Sequence, residues 1–123
     1  MFHIEIEKTD DVAVLQCYGR IVRGPATCAL REGVTLQRDA RIIVLDLSAV
    51  ESLDGGGLGT LVYLHDWTRD HGIQLKLVNP TDLVREMLDR TRLSCVFDIS
   101  SVHDALLILG GCSGQVQNYA LAS

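Results

Sequence analysis

The chain has 123 residues, 47% of them hydrophobic and 22% charged, which suits one globular domain with its own core and excludes two ordinary domains. Its formal net charge of −5 argues against a non-specific nucleic-acid binder, because such binding depends on attraction to phosphates. No apolar run approaches the roughly 20 residues needed to cross a bilayer, and the N-terminus carries no signal segment, which favours a cytoplasmic protein without membrane insertion.

The first half of the chain predicts a hairpin, a helix and a buried strand. Apolar and polar residues alternate from Phe2 to Glu7, a polar turn follows, and a second strand runs from Val12 to Tyr18 and ends at Gly19. Gly24-Pro25 begins a helix, since proline is tolerated in the first turn. We predict a buried stripe formed by Ala26, Ala29, Leu30, Val34 and Leu36, and a solvent side formed by Arg31, Glu32, Gln37 and Arg38. The apolar run from Ile42 to Leu47 is typical of a strand covered on both faces.

The second half continues the alternation of helices and strands. A helix from Leu58 to Trp67 ends at His71-Gly72, a strand follows from Ile73 to Val78, and a helix begins at Thr81-Asp82. A short strand over Val96–Ile99 and a last helix beginning at Ser101 complete the order. This pattern predicts an α/β fold with a mixed, mainly parallel sheet, an N-terminal hairpin and about four helices. We expect one domain over residues 1–110 and a flexible tail over 111–123.

The sequence offers no recognisable catalytic or metal-binding arrangement. Its four histidines fall on different elements, and His65 is interpreted as a core histidine because it shares the apolar side of its helix. The cysteines form no C-x-x-C pair, and we expect reduced thiols, with Cys112 the most exposed and Cys17, Cys28 and Cys95 in apolar surroundings. These patterns predict neither an enzyme nor a bound cofactor or metal.

A glycine-rich segment, Leu53-Asp54-Gly55-Gly56-Gly57-Leu58-Gly59, lies between the central strand and the following helix. Functional sites of open α/β sheets usually lie at such a carboxyl end of a strand. Asp54 is predicted to cap the helix by accepting from its first N–H groups. The segment lacks the lysine of a phosphate-binding loop and the third glycine of a dinucleotide fingerprint, which makes nucleotide binding a minor alternative. A tight turn and a docking surface for another protein both stay open at this point.

Several segments together resemble the STAS domain family, the anti-sigma factor antagonists. The first is Ile43-Val44-Leu45-Asp46-Leu47-Ser48-Ala49-Val50, followed by Leu53-Asp54 and Gly57-Leu58-Gly59. Gly19-Arg20-Ile21-Val22 resembles the family's segment after the N-terminal hairpin, and the strand before Asn79-Pro80 and the segments up to Ile99 resemble its later elements. The similarity spans about residues 2 to 109, and the fold that it implies agrees with the predicted element order.

The resemblance implies a protein-interaction module. In family members that act as switches, a serine-kinase anti-sigma factor phosphorylates a serine or threonine after the aspartate, and the unphosphorylated antagonist binds that kinase and releases a sigma factor for transcription. Here the acceptor position is Gly55 and the next residue is Gly56, so neither carries a hydroxyl. We therefore expect this chain to bind its partner without being switched by phosphorylation at residue 55. Ser48, Ser52 and Thr60 carry the nearby hydroxyls that could accept a phosphate instead.

The resemblance also locates the expected partner surface. It comprises Ser52, Asp54, Gly55, Gly56, Gly57, Leu58, Tyr63 and Asp66, with Arg20 and Arg23 placed at the same end of the sheet by topology. We expect Gly56→Arg to abolish binding and to leave the fold intact. Two alternatives stay open: a subunit of a stress-signalling or lipid-transport complex, and a nucleotide or anion sensor that uses the N–H groups of residues 55–57.

Overall fold

The computed structural model describes residues 2–100. The elements are β1 (His3–Thr9), β2 (Val12–Ile21), α1 (Pro25–Thr35), β3 (Ile42–Leu53), α2 (Gly55–Asp70), β4 (Gln74–Val78), α3 (Asp82–Arg90), a single 3-10 turn (Leu93–Cys95) and β5 (Asp98–Ser100). The sheet order is β1-β2-β3-β4-β5, in which β1 and β2 are antiparallel and every other pair is parallel. The predicted α/β fold with a mixed sheet and an N-terminal hairpin is confirmed, while the predicted fourth helix and the tail lie outside the described residues.

The second strand is longer than predicted. Gly19 does not end β2; it adopts a φ of 99° within the strand, and the pairing with β3 shifts register between Gly19 and Arg20. The strand then continues, so that Arg20 pairs with Ser52 and Ile21 pairs with Leu53 at the end of β3. The irregularity therefore carries the chain after the hairpin to the carboxyl end of the central strand, where the candidate site lies.

The central strand is also longer than the apolar run that predicted it. Residues 43–47 are buried, as expected, and β3 continues through the exposed Ser48 and Ala49 to Leu53. Polar residues interrupt the pattern in this second part, while Val50 and Leu53 still belong to the core. A prediction from periodicity alone therefore placed the end of this strand too early in the sequence.

Helix α1 packs on β1 and β2 with a face that was predicted only in part, since Leu30 and Val34 are buried as expected. Its buried residues are Thr27, Leu30, Gly33 and Val34, and Gln37 beyond its end is buried as well, whereas Ala29 and Leu36 are exposed. Leu36 keeps 75% of its surface accessible. The backbone at Gly33 lies so close to the sheet that a Cβ there would meet Leu15 Cδ2 at 3.4 Å, and this close approach determines the buried face.

The remaining elements follow the sequence pattern closely. Helix α2 begins at Gly55, three residues before the predicted Leu58, and ends at Asp70 with His71 as its C-cap. Gly72 follows with a left-handed φ of 69°, which suits a glycine after a helix. Thr81 caps α3 by accepting from the Val84 N–H at 3.4 Å. Strand β5 begins at Asp98 and not at Val96, because the 3-10 turn over Leu93–Cys95 precedes it.

Within residues 2–100, no helix combines the length and the apolar character that a membrane crossing requires. Of the cysteines in this range, Cys17 is buried, and burial, followed by the Asp46 carboxylate, raises the pKa of its thiol to about 12. Cys28 and Cys95 are exposed, contrary to the prediction, and Cys112 lies outside the described residues. All three described cysteines are free thiols.

Candidate functional site

The carboxylate of Asp54 joins the start of α2 to the segment between β2 and α1. Its Oδ1 accepts from the Gly57 N–H at 2.8 Å, which is the predicted N-cap. Its Oδ2 accepts from the Arg23 N–H at 3.0 Å. The Asp54 N–H in turn donates to the Ile21 carbonyl at 3.3 Å. One side chain thus fixes two segments that are distant in the sequence.

These hydrogen bonds favour the charged form of Asp54. The pKa of this carboxyl is lowered from its ordinary value, first by the N–H of Arg23 and then by that of Gly57. The group is therefore an anion at neutral pH. Its charge lies at the positive end of the α2 dipole, where a bound anion would otherwise be placed.

Acid is expected to remove the stabilisation that Asp54 provides. Above 3.8, the ordinary pKa of this group, the carboxylate is charged in both states and its bonds stabilise the fold in full. As the pH falls below that value, the unfolded state takes up a proton first, and the contribution is lost as the pH passes through the lower pKa of the folded state. Asp54→Asn keeps one acceptor oxygen and loses one of the two bonds, so its Tm at neutral pH should fall by about 3–6 °C.

The difference in Tm between wild type and Asp54→Asn should shrink steadily as the solution is made more acidic. Thermal unfolding followed by circular dichroism at several pH values measures it. Asp89→Asn is the matched control, because that exposed carboxylate on α3 makes no hydrogen bond or ion pair within the described chain. A Tm difference for Asp54→Asn that stays constant down to acid pH would contradict this role for the carboxylate.

Two of the three consecutive glycines are required by packing. A Cβ on Gly57 would lie 2.2 Å from the Ile21 carbonyl oxygen and 2.6 Å from Leu53 Cδ1. A Cβ on Gly56 would lie 2.8 Å from the Cβ of Arg23 and 3.2 Å from its Cα. Both glycines therefore let the end of β2 and the following residues lie directly against the first turn of α2.

This packing corrects two expectations about the glycine segment. Gly57 is buried, so it positions the turn and presents no surface to a partner. Gly56 is half-buried against Arg23, and an arginine side chain there would displace the backbone at that point. The expectation that Gly56→Arg leaves the fold intact is wrong, and this variant cannot separate docking from folding.

Gly55 differs from its two neighbours. It is exposed, and a Cβ built on it has no heavy atom within 4 Å. The same holds for Gly59, one helical turn later. Tyr63 and Asp66 continue this line at helical spacing, and both are exposed. The four residues Gly55, Gly59, Tyr63 and Asp66 form a continuous solvent-facing stripe, which we call the α2 stripe.

The stripe includes side chains fixed by neighbours. The Arg31 guanidinium of α1 lies 4.8 Å from the centre of the Tyr63 ring, a cation–π contact between the two helices. The Asp66 carboxylate accepts from Arg69 at 3.5 Å and lies 3.3 Å from His65 Nδ1. His65 is half-buried, and its ring packs edge-on against Phe97, so it is partly the core residue that was predicted. Arg31 and Gly59 were not predicted as site residues, because only the packing of α1 against α2 places Arg31 there.

Arg20, at the end of β2, contacts the end of β3. Arg20 Nε donates to Ser52 Oγ at 3.1 Å, and Arg23 touches both Asp54 and Gly56, so the placement of both arginines at this end of the sheet is confirmed. Leu58 is partly buried against the core. The structure thus gathers Ser52, Asp54, Gly55 and the two arginines around one edge, from which the α2 stripe extends.

The nearby hydroxyl groups differ in accessibility. Thr60 is buried, and its hydroxyl donates to the Gly56 carbonyl at 2.9 Å. The Ser52 hydroxyl accepts from Arg20, and Ser48 is exposed on β3. No group of three or more histidine, cysteine or acidic side chains within residues 2–100 is arranged to hold a metal ion.

A sequence model of the STAS domain matches residues 3–106. The structure is similar to that of SpoIIAA, an anti-sigma factor antagonist, in its unphosphorylated form, with a TM-score of 0.74 at 16% identity over 91% of this chain and 100% of that one. The phosphorylated form of SpoIIAA from Bacillus gives a TM-score of 0.67 at 15% identity, covering 87% and 99% of the two chains.

An anti-sigma factor antagonist from Mycobacterium paratuberculosis gives a TM-score of 0.74 at 25% identity, covering 88% of this chain and 93% of that one. The chain has no significant sequence match among curated proteins. The likeness to SpoIIAA concerns the fold, and the match to the family model extends over most of the sequence. The chain therefore belongs to the STAS domain family.

Proposed function

We propose that this chain is a protein-interaction module that acts as an anti-sigma factor antagonist without a phosphorylation switch at residue 55. Its partner is a serine-kinase anti-sigma factor, and binding releases a sigma factor and so regulates transcription. The docking surface is the exposed start of α2 with Ser52 and Asp54 beside it and the α2 stripe beyond it.

One observation carries the proposal. By its resemblance to the family, Gly55 corresponds to the phosphoacceptor, and the residue is exposed with open space around its missing side chain. Internal packing explains Gly56 and Gly57 and does not explain Gly55. SpoIIAA is known in phosphorylated and unphosphorylated forms, whereas a glycine at this position has no oxygen to accept phosphate.

The charge of Asp54 distinguishes this function from an anion sensor. The Gly57 N–H is occupied by Asp54, and the Leu58 N–H donates to the Asp54 carbonyl at 2.9 Å. A phosphate placed at the start of α2 would meet a carboxylate where it needs donors, which opposes its binding. A protein surface can dock on the start of α2 without placing a second negative charge against the Asp54 carboxylate.

The test is capture of the partner from the organism's own cells with three baits. Wild type and Gly55→Gln should each recover a serine-kinase anti-sigma factor, identified by mass spectrometry. Gly55→Glu should bind the recovered kinase about 100-fold more weakly, because a second negative charge beside Asp54 imitates the effect of a phosphate. Gly55→Gln has almost the same size as Gly55→Glu and no charge, so it is the matched control.

Stability can be compared directly among these baits, since the open space at Gly55 admits either side chain. Recovery of stress-complex or lipid-transport subunits in place of a kinase would contradict the antagonist function and favour a scaffold. Equal kinase binding by the Glu and wild-type baits would show that residue 55 lies outside the interface.

A further inference from the structure

A cleft lies beside the candidate docking edge, between the N-terminal residues, the end of β2 and the first turns of α1. Its volume is about 460 Å³. The cleft has an apolar lining interrupted by two cations, and its main lining residues are Phe2, Val22, Pro25, Ala26, Arg20 and Arg23. We call it the β2–α1 groove.

The two arginines give the groove a positive charge that contrasts with the acidic chain. Both are exposed, and neither makes an ion pair with any residue in the range 2–100. Arg20 donates to the neutral Ser52 hydroxyl, and Arg23 uses its backbone N–H for Asp54. The net charge of the whole chain is −5, whereas the lining of the groove holds two guanidinium groups and no acidic side chain.

The groove is continuous with the docking edge. The Cβ of Arg23 lies where a side chain on Gly56 would have to go, and the backbone of the same residue is bonded to Asp54. A partner that binds the start of α2 therefore lies next to the groove and can contact it. An apolar lining that includes two cations matches a segment that carries apolar side chains and carboxylates together.

We infer that the β2–α1 groove binds an acidic, partly apolar segment of the protein partner, with carboxylates paired to Arg20 and Arg23. This inference rests on the proposed function, since it takes the occupant to be part of the partner that docks on α2. Guanidinium groups suit carboxylates in particular, because their forked donors can bind both oxygens. The contact adds two cations to a docking surface whose own charged side chains are Asp54 and Asp66.

A peptide titration tests the groove by itself. The full chain, labelled with ¹⁵N, is titrated with a short peptide of alternating glutamate and leucine, with its lysine counterpart, and with inorganic phosphate. The acidic peptide should shift the amide signals of Val22, Arg23 and Ala26, and salt should weaken its binding. The double variant Arg20→Glu/Arg23→Glu should bind it at least about tenfold more weakly.

Arg85→Glu is the matched control, because Arg85 is an exposed arginine of α3 without an ion pair in the described part of the chain, and it should bind within about twofold of wild type. Equal binding of the lysine peptide, or an unaffected double variant, would overturn the inference. Phosphate that alone reproduces the shifts and displaces the peptide would overturn it in favour of a small-anion site.

Partner capture separates this inference from the proposed function. Loss of both peptide and kinase binding in the double variant, with the fold retained by circular dichroism, supports the groove as part of the interface. Normal kinase capture by the double variant would overturn the inference that the groove binds the partner, and it would leave the proposed function in place. Gly55→Glu should lose the kinase and keep the peptide, because residue 55 does not line the groove.

Discussion

Gly57→Ala should destabilise the protein by about 3 kcal/mol, although it adds only one methyl group. That methyl carbon would lie 2.2 Å from the Ile21 carbonyl oxygen, a contact that neither rotation nor a small side-chain shift can relieve. The end of β2 and the start of α2 would have to separate. Their separation would also weaken the bonds of Asp54 to both segments.

Gly59→Ala is the control for this prediction. It lies in the same helix, and its added Cβ meets no heavy atom within 4 Å. Alanine has the higher helix propensity, so this variant should gain up to about 1 kcal/mol. Urea unfolding followed by the fluorescence of Trp67, the single tryptophan, measures both variants. Equal stabilities for Gly57→Ala and Gly59→Ala would contradict the close packing described here.

The sequence predicted the structure correctly at positions where neighbouring residues determine it. Alternation predicted the hairpin, and the order of helices and strands followed from the apolar runs and their polar breaks. Asp54 was identified as a cap because the residue precedes a helix start and its side chain needs only the next few N–H groups. Thr81 and Gly72 were placed correctly for the same reason.

The predictions failed where distant segments meet. Nothing near Gly56 in the sequence indicates that Arg23 occupies its side-chain space, and this contact decides that Gly56→Arg perturbs the fold. Leu30 and Val34 of α1 were correctly predicted as buried, but Ala29 and Leu36 were not, because alanines and Leu36 suit either side of a helix, whereas the approach of Gly33 to the sheet selects one side. Gly19 was interpreted as the end of a strand because a register shift leaves no local signal beyond the glycine itself.

The three glycines of the segment consequently have different explanations. A Cβ is excluded at Gly57 by the Ile21 carbonyl, and at Gly56 it is opposed by Arg23. At Gly55 neither constraint applies, so that position could carry a serine without cost to the packing. The absent hydroxyl therefore leaves the fold unchanged, and under the proposed function it removes a site of phosphorylation; this distinction is the basis of that proposal.

Phosphate transfer tests that distinction most directly. The kinase recovered by the wild-type bait is incubated with ATP and either wild type or Gly55→Ser, and intact-mass spectrometry counts the phosphates on each. We expect none on wild type and one on Gly55→Ser, located at the new hydroxyl, followed by release of the kinase. Phosphorylation introduces about −1.5 to −2 charges beside Asp54, which supplies the repulsion for that release. A phosphate on Ser48 or Ser52 of the wild type that releases the kinase would contradict the central claim, which is that this chain binds its partner without a phosphorylation switch.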